Sequence, residues 1–270
     1  MGRFINATRR KLEQGQLALG MGLRQARTVD IANIAKTCDY DWLFIDMEHN
    51  SMSVDGAAQI CSASLGVGIT PIVRVPGHES FHASRLLDAG AQGIVVPHVN
   101  SAAEAKRAVD NCRFPPHGKR SIPGGLPQMS FESPPLTEVI QHINDETLLI
   151  VMIETREGLD ACEEIAAVPG VDVLLVGTSD LSAELGVPGQ QGHQLIGDAV
   201  RRVCKACSRS GIFPGVGGVY DEAVMKRYVD MGARFILSGS DLAFMMHGAR
   251  ARSGMLRGIA LKPALSPAAA

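Results

Sequence analysis

The sequence predicts a single (β/α)8 barrel, and three observations lead to that prediction. The chain has 270 residues, a length typical of one such barrel. Short apolar runs alternate with longer segments of helical spacing from one end to the other. Hydrophobic residues make up 46% of the chain and aromatic residues only 4%, so the core is mainly aliphatic, as in parallel strands covered on both faces. We expect residues 1–256 to form the barrel and residues 257–270 to be a flexible tail.

Eight apolar runs are predicted to be the strands of the barrel. They are Leu17–Leu23, Trp42–Glu48, Thr70–Val75, Gly93–Val99, Leu148–Thr155, Val171–Gly177, Ile212–Val219 and Phe235–Ser240. Helical spacing is found between them, for example over residues 29–38, 53–64, 80–90 and 221–232. Several of these segments end in glycine just before the next strand, as expected where a helix ends. Eight alternations without a long polar linker favour one barrel over two domains.

A doubly wound sheet is the main alternative fold. It would have fewer strands and a GxGxxG motif opening its first helix. The sequence contains neither that motif nor the GxxxxGK[ST] of a phosphate-binding loop. One irregular stretch, Asn111–Pro135, is rich in proline and glycine and lies between the fourth and fifth strands. We expect it to be a long loop over the active face of the barrel.

Charge and cysteine content limit the partners and the compartment. The formal net charge of −2 gives no electrostatic reason to expect nucleic acid or an anionic membrane as a partner. No apolar stretch approaches the roughly 18 residues of a membrane span, and we expect no secretory signal. Six cysteines spread over the chain suggest reduced thiols in a cytoplasmic protein. Cys204 and Cys207 form a CxxC pair on a predicted helix, which we interpret as structural thiols because no second Cys or His pair is found after it.

Ionisable side chains come directly after the carboxyl ends of several predicted strands. A barrel places its functional groups at these ends, so the side chains are candidate site residues. They are Asp46, Glu48, His49, Arg74, Glu154 and Asp180.

Two of these carboxylates predict a metal site. Glu154 comes after a largely apolar run, and a carboxylate near the barrel axis needs a cation or a donor to offset its desolvation. Asp180 lies on the adjacent strand, although its position before a helix also fits a simple helix cap. Together they form a pair of hard oxygen ligands suited to Mg²⁺ or Mn²⁺, with water and substrate completing the coordination. Zinc suits the pair less because only carboxylates are available.

The remaining residues predict acid–base chemistry. A carboxylate within reach of an imidazole fixes its tautomer and makes it a better base, so Asp46 and His49 form a candidate pair. Arg74 supplies a fixed cation and several N–H donors for an oxyanion. A salt bridge from Arg74 to Asp46 or Glu48 is the alternative explanation for this arginine.

These residues lie in segments that resemble the HpcH/HpaI aldolases of the phosphoenolpyruvate/pyruvate barrel superfamily. The matching segments are DWLFIDMEH, PIVRVPG, LLDAGAQGIVVPHVNSAAEA, RFPPHGKRS, IETREGL and VPGVDVLLVGTSDLSAELG. They run in order from about Gly15 to about Arg252. The resemblance implies a (β/α)8 barrel that assembles as a homohexamer, a trimer of dimers whose paired subunits exchange their last helix.

The resemblance also implies a ligand set. Glu154 and Asp180 would hold a divalent ion, with Mg²⁺ or Mn²⁺ expected before Co²⁺. The carboxylate of the substrate would lie against the backbone N–H groups of Ser179 and Asp180, where a helix begins. Many family members carry Gln two residues before the metal-binding Glu, where it contacts the substrate, whereas this chain has Met152. One polar contact to the keto acid is therefore lost.

The resemblance gives a role to each of the other candidate residues. His49 would be the general base, acting through a water and oriented by Asp46. Glu48 would hold waters around the metal ion, and Arg74 would bind the ketone or enolate oxygen.

The expected reaction is reversible retro-aldol cleavage of 4-hydroxy-2-keto acids to pyruvate, or a related 2-keto donor, and an aldehyde. The alternative is an acyl-CoA lyase that cleaves malyl- or citramalyl-type thioesters on the same metal–enolate scaffold. Those enzymes are usually longer and need a basic groove for the nucleotide. A Schiff-base aldolase needs a lysine deep in the barrel, and no lysine ends a predicted strand. A non-catalytic barrel would show neither metal dependence nor turnover.

Overall fold

Eight parallel strands form a closed barrel in a computed structural model that describes residues 3–261. Each strand pairs with the next along the chain, and β8 pairs with β1. The strands are Ala18–Leu23 (β1), Trp42–Asp46 (β2), Thr70–Arg74 (β3), Gly93–Val96 (β4), Leu148–Ile153 (β5), Val173–Gly177 (β6), Phe213–Gly217 (β7) and Phe235–Ser240 (β8). The predicted (β/α)8 fold is confirmed.

Helices surround the strands and connect them. The α-helices among the described residues are Ala7–Glu13 (α1), Asp30–Thr37 (α2), Val54–Val67 (α3), Ser80–Asp88 (α4), Ala102–Cys112 (α5), Leu136–Glu146 (α6), Arg156–Asp160 (α7), Cys162–Ala166 (α8), Thr178–Glu184 (α9), Gln194–Ser210 (α10), Glu222–Asp230 (α11) and Asp241–Arg257 (α12). The segments predicted as helices correspond to α2, α3, α4 and α11. No helix within residues 3–261 is both long and apolar enough to cross a membrane.

The strand predictions extend too far at several carboxyl ends. The second strand ends at Asp46 instead of Glu48, and the fourth ends at Val96 instead of Val99. The apolar pattern continues past these ends. Single backbone hydrogen bonds persist there, from the Met47 N–H to the Arg74 carbonyl and from the Val99 N–H to the Met152 carbonyl, but regular strand pairing has ended. The tail predicted for residues 257–270 lies mostly outside the described residues.

Two apolar layers fill the molecule. The inner layer lies within the barrel, where the Trp42 ring stacks on Phe235 with 4.0 Å between ring centroids. The outer layer lies between strands and helices and consists mainly of buried Ile, Leu, Val and Ala. This distribution matches the low aromatic content of the sequence.

Helix α1 closes the amino end of the barrel. Leu12 packs with the inner layer, and the Asn6 side chain donates hydrogen bonds to the carbonyl oxygens of Gln92 and Glu146. Those two carbonyls lie near the amino ends of β4 and β5. The carboxyl end of the barrel is therefore the end left for a site.

The prediction for Asn111–Pro135 is wrong. This segment comes after α5, and a connection from a helix to the next strand returns the chain to the amino ends of the strands. Its Gln128 side chain donates to the carbonyls of Leu87, in the last turn of α4, and of Ala91, just before β4. Arg113 donates to the carbonyl of Thr147, just before β5. In this chain the loop covers the face opposite the active end.

The CxxC cysteines lie on α10, where both thiols are free and buried. Burial raises the pKa of Cys204 to about 11 and also raises that of Cys207. Neutral, packed thiols are what the structural interpretation of this pair requires.

Close packing around Trp42, the one tryptophan of the chain, gives a test of the inner core. A Cβ at Gly20 would lie 2.2 Å from Cε2 of Trp42, which Phe235 prevents from moving. We expect Gly20→Ala to lower the free energy of unfolding by about 1–3 kcal/mol, the usual cost of overpacking, in urea denaturation monitored by tryptophan fluorescence.

Gly66→Ala is the control. This glycine lies in α3, and its added Cβ would meet nothing within 4 Å. Alanine is favoured over glycine in a helix, so the free energy of unfolding should rise by up to about 1 kcal/mol. Equal destabilisation by both substitutions would contradict the packing of Gly20 against Trp42.

Candidate active site

A cavity of about 240 Å³ opens at the carboxyl end of the barrel. Polar and charged side chains lie in its wall, and its floor is apolar. The polar residues include Arg24, His49, Arg74, Ser179 and Asp180, and the floor includes Phe44, Met152 and Leu175. The cavity therefore contains His49, Arg74, Ser179 and Asp180 from the predicted site.

Asp46 lies at the end of β2 and is fully buried. Its carboxylate accepts two hydrogen bonds from Arg74, 2.9 Å from Nε and 2.7 Å from Nη2, and a third from Nη1 of Arg24 at 2.6 Å. The backbone N–H groups of Glu48 and His49 donate to Oδ1 at 3.0 and 3.4 Å. Burial raises the pKa of Asp46, but the Arg74 hydrogen bonds, both guanidinium charges and the Glu48 N–H outweigh it and hold the pKa below its usual value.

The His49 ring does not have the partner that the sequence suggested. Asp46 contacts the backbone of His49, while the ring nitrogen Nε2 lies 3.7 Å from Oε2 of Glu48. The prediction that Asp46 orients the imidazole is therefore not met in this geometry, because Arg74 and Arg24 occupy the Asp46 carboxylate. The His49 side chain is 53% exposed at the rim of the cavity, where it can exchange protons with water or substrate.

Arg74 ends β3 and is held rigidly. Besides its two bonds to Asp46, its Nη1 lies 2.8 Å from Oε2 of Glu48, and its guanidinium carbon lies 5.0 Å from the centroid of the Phe44 ring. Both salt bridges named as alternatives are thus present. The side chain is only 5% exposed but still lines the cavity. Each Nη atom carries two N–H groups, so a donor remains for an oxygen in the cavity.

Glu154 comes directly after β5 and is 1% exposed. Oε1 accepts a hydrogen bond from the backbone N–H of His98 at 2.8 Å. Oε2 is buried without a hydrogen-bond partner among the described residues. The strand neighbour Gly177 has room for this oxygen because it lacks a side chain, since a Cβ there would lie 2.7 Å from Oε2. Burial raises the pKa of Glu154. His98 acts to lower this pKa and the negative charge of Asp180 to raise it, and the net shift is upward.

The unpartnered Glu154 oxygen fits a cation. Asp180, in the first turn of α9, lines the cavity, and it lies close enough for its charge to act on Glu154, which is buried behind the cavity residue Gly177. A buried carboxylate beside a second carboxylate is unfavourable without a positive charge, and two hard oxygen donors are suited to a divalent ion. Within residues 3–261 no group of three or more His, Cys, Asp or Glu could hold a metal, so no third side chain of these types joins the pair.

Sequence reasoning missed His98 and Arg24. His98 has a left-handed backbone (φ 50°), and its ring lies between two acids, with Nδ1 3.4 Å from Oε1 of Glu154 and Nε2 3.5 Å from Oε1 of Glu48. His98 lies just beyond β4 and Arg24 just beyond β1, so both obey the rule that identified the other residues. Arg24 directly follows the first predicted run, and His98 lies within the fourth predicted run, Gly93–Val99. Neither position stands out as the DMEH cluster does.

These groups define a class of protein. A rigid guanidinium and a site for a cation stabilise negative charge on an oxygen, and an exposed imidazole moves protons beside it. Enzymes that make or break carbon–carbon bonds through an enolate need these groups. The HpcH/HpaI aldolase/citrate lyase family matches residues 24–248, and the chain belongs to this family. It is a carbon–carbon lyase of the aldolase type, and the class II aldolases of this family are generally dependent on divalent metal ions.

Similar proteins agree with this assignment along nearly the whole chain. The chain is 36% identical over 265 residues to a 4-hydroxy-4-methyl-2-oxoglutarate aldolase of Hapsidospora irregularis, covering 97% of this chain and 98% of that protein. It is 34% identical over 256 residues to a hydroxypyruvate/pyruvate aldolase of Paraburkholderia phytofirmans, covering 93% and 97%. The crystal structure of an HpcH/HpaI aldolase from Desulfitobacterium hafniense matches with a TM-score of 0.88 at 29% identity, covering 96% and 98%.

The buried charge of Asp46 gives a test by pH. Asp46→Asn should lower the free energy of unfolding at neutral pH by about 3–5 kcal/mol, because two arginines lose their shared counter-charge. The folded pKa lies below the unfolded value of about 3.9, so this contribution is complete above that value and is lost as the pH falls through the folded pKa. In urea denaturation, the difference in free energy of unfolding between the wild type and Asp46→Asn should shrink as the pH is lowered from about 6 to about 3.

Asp198→Asn is the matched control for this experiment. Asp198 is exposed on α10, where its pairing with Arg201 contributes little. If both variants lost the same free energy of unfolding relative to the wild type, or if the loss in Asp46→Asn did not change with pH, the result would argue against the Asp46 network.

Proposed function

We propose that the chain cleaves 4-hydroxy-2-keto acids, reversibly, to pyruvate or a related 2-keto acid and a second carbonyl compound. The observation that carries this proposal is the unpartnered, buried oxygen of Glu154, which lies against Gly177 in the wall of the cavity that Asp180 and Arg74 line. The names of the relatives from Hapsidospora irregularis and Paraburkholderia phytofirmans support the same class of substrate. Both names describe aldolases of short 2-keto acids.

Glu154 and Asp180 would hold the divalent ion. Their oxygens favour Mg²⁺ or Mn²⁺, with Co²⁺ as a further candidate. Such an ion, when bound, polarises the keto group and stabilises the negative charge of an enolate. The side chains and backbone of the protein bind the substrate and move its protons.

The keto acid is oriented by two groups of donors. Arg74 donates an N–H to the keto oxygen, and its contacts with Asp46 and Glu48 fix the direction of that donor. The backbone N–H groups of Ser179 and Asp180 bind the carboxylate. Because these donors are in place before the reaction, they stabilise charge that develops on the oxygen without reorganisation.

His49 moves the protons. In the cleavage direction it accepts, through a water, the proton of the C4 hydroxyl while the C3–C4 bond breaks and its electrons form the enolate. It then returns a proton to C3, which gives pyruvate. Oε2 of Glu48 lies 3.7 Å from Nε2 of His49 and can hold the direction of the ring.

The cavity favours free acids over acyl-CoA substrates. None of the lysines that the structure describes lines the cavity, so a basic groove for the nucleotide of coenzyme A is missing there. A Schiff-base mechanism lacks its nucleophile for the same reason. Met152 takes the place of the family's usual glutamine on the floor, so the substrate meets a thioether there instead of an amide.

We also propose a cytoplasmic homohexamer. The last helix, α12, has 17 residues and buries none of them within its own chain. Its exposed residues include Phe244, Met245 and Met246, an apolar surface that fits exchange of this helix with a neighbouring subunit. All six cysteines are free, as expected in a reducing compartment.

The metal ligands are tested by replacing each carboxylate with its amide. Glu154→Gln and Asp180→Asn should each weaken Mn²⁺ binding by about 10²-fold or more, since loss of even an indirect partner of a metal ligand costs 10–100-fold. Calorimetric titration with Mn²⁺ measures the affinity. Pyruvate release from 4-hydroxy-2-keto acids, with EDTA and with Mg²⁺ or Mn²⁺ added back, measures the consequence. Asp230→Asn, an exposed carboxylate on α11, is the control, and unchanged Mn²⁺ affinity in both site variants would refute the ligand pair.

The roles of His49 and Arg74 are tested by truncation. His49→Ala should lower turnover by about 10²-fold or more, the usual contribution of a general base. Arg74→Ala should lower it at least as much, because the oxyanion loses a preorganised donor. Steady-state pyruvate release measures both effects, with circular dichroism as a check on folding. Turnover equal to that of the wild type in either variant would rule out the role assigned to that residue.

A further inference from the structure

We propose that Arg24 forms a second anion subsite, which binds a carboxylate at the far end of the substrate. The preferred substrates are then 4-hydroxy-2-keto acids that carry a second carboxylate on C4, so that their second carbonyl product is itself a 2-keto acid. This inference rests on the proposed function, which places the keto-acid end of the substrate at Glu154 and Asp180.

Arg24 lies on the opposite side of the barrel from Glu154. Arg24 lies just beyond β1, and Glu154 lies just beyond β5. In a closed ring of eight strands in sequence order, β1 and β5 lie across the barrel from each other. A substrate held by its keto-acid end near β5 and β6 therefore extends across the cavity toward β1, where Arg24 lines the wall.

Part of the Arg24 guanidinium is available to a ligand. Among the described residues, the Arg24 side chain makes one hydrogen bond, from Nη1 to Oδ2 of Asp46, and it is 37% exposed. Arg74, by contrast, is 5% exposed, and all three of its nitrogens contact Asp46 or Glu48. The Nε–H and Nη2 edge of Arg24 is thus available for a bidentate contact with a carboxylate, the anion that a planar guanidinium matches best.

The backbone that carries Arg24 is fixed, as a specific subsite requires. The carboxylate of Asp241, at the start of α12, accepts hydrogen bonds from the N–H groups of Arg24, Gln25 and Ala26 at 2.7, 2.8 and 2.6 Å. Burial of Asp241 raises its pKa, but these N–H groups and that of Leu242 outweigh it and hold the pKa below the usual value. Asp241 therefore stays charged at neutral pH, and the β1–α2 loop stays attached to α12.

A hydroxyl lies beside the proposed subsite. Ser240 also lines the cavity and pairs in register with Gly22, two residues before Arg24. Its Oγ accepts a hydrogen bond from the N–H of Ala243, so its own O–H remains available as a donor. A carboxylate at the far end of the substrate would bind both the Arg24 guanidinium and the Ser240 hydroxyl. A methyl group in the same position would leave these two donors to water.

A matched pair of ligands tests the subsite without turnover. 2-Oxoglutarate and 2-oxovalerate share a five-carbon keto-acid chain and differ only in a carboxylate or a methyl group at C5. Isothermal titration in the presence of Mg²⁺ should show wild-type protein binding 2-oxoglutarate about 10-fold or more tightly than 2-oxovalerate, the scale of a charge-assisted hydrogen bond. Arg24→Gln should abolish this preference, and Arg201→Gln, an exposed arginine on α10, should leave it unchanged.

Cleavage provides the second readout. Arg24→Gln should lower kcat/KM for 4-hydroxy-4-methyl-2-oxoglutarate by about 10- to 10²-fold more than it lowers kcat/KM for 4-hydroxy-2-oxovalerate, because any effect through Asp46 is common to both substrates. An equal loss on both substrates would overturn the subsite, since Arg24 would then act only through Asp46. Equal binding of the two five-carbon ligands by the wild type would overturn it as well. If wild-type protein cleaves neither substrate but keeps the binding preference, the proposed function fails and the subsite stands.

Discussion

The buried carboxylate of Asp46 is the interaction on which the active end of the barrel depends. It accepts hydrogen bonds from arginines at the ends of two different strands, and from the backbone of the loop that carries His49. One acidic group thereby sets the positions of both cavity arginines and of the β2–α3 loop. Such a group is expensive to bury alone, and two cations with good geometry offset that cost.

A second buried carboxylate, Glu154, has too few hydrogen-bond donors instead of too many. Asp46 has more donors than its two oxygens need, while one oxygen of Glu154 has none among the described residues. The contrast separates the two acids by function. Asp46 has its positive charges supplied by two arginines of the chain and positions other groups, whereas the chain leaves one oxygen of Glu154 open to an incoming donor or cation.

The sequence predicted the fold and the cavity residues well because both depend on strict rules. Parallel strands covered on both faces read as apolar runs, and a barrel brings the residues at the carboxyl ends of those runs together at one rim. Contacts between side chains follow no such rule. The three-residue spacing of Asp46 and His49 suggested a contact between carboxylate and imidazole, but Arg74 occupies the carboxylate and the His49 ring lies beside Glu48. The Asn111–Pro135 loop was misplaced because composition marks a loop but does not say whether a strand or a helix precedes it.

The closure of the amino end by α1 has a consequence for access to the barrel. Leu12 and Asn6 pack at that end, so among residues 3–261 the cavity opens at the carboxyl end alone. Small molecules therefore enter and leave past the residues that follow the strands. These residues act as a selectivity filter for entry as well as lining the cavity.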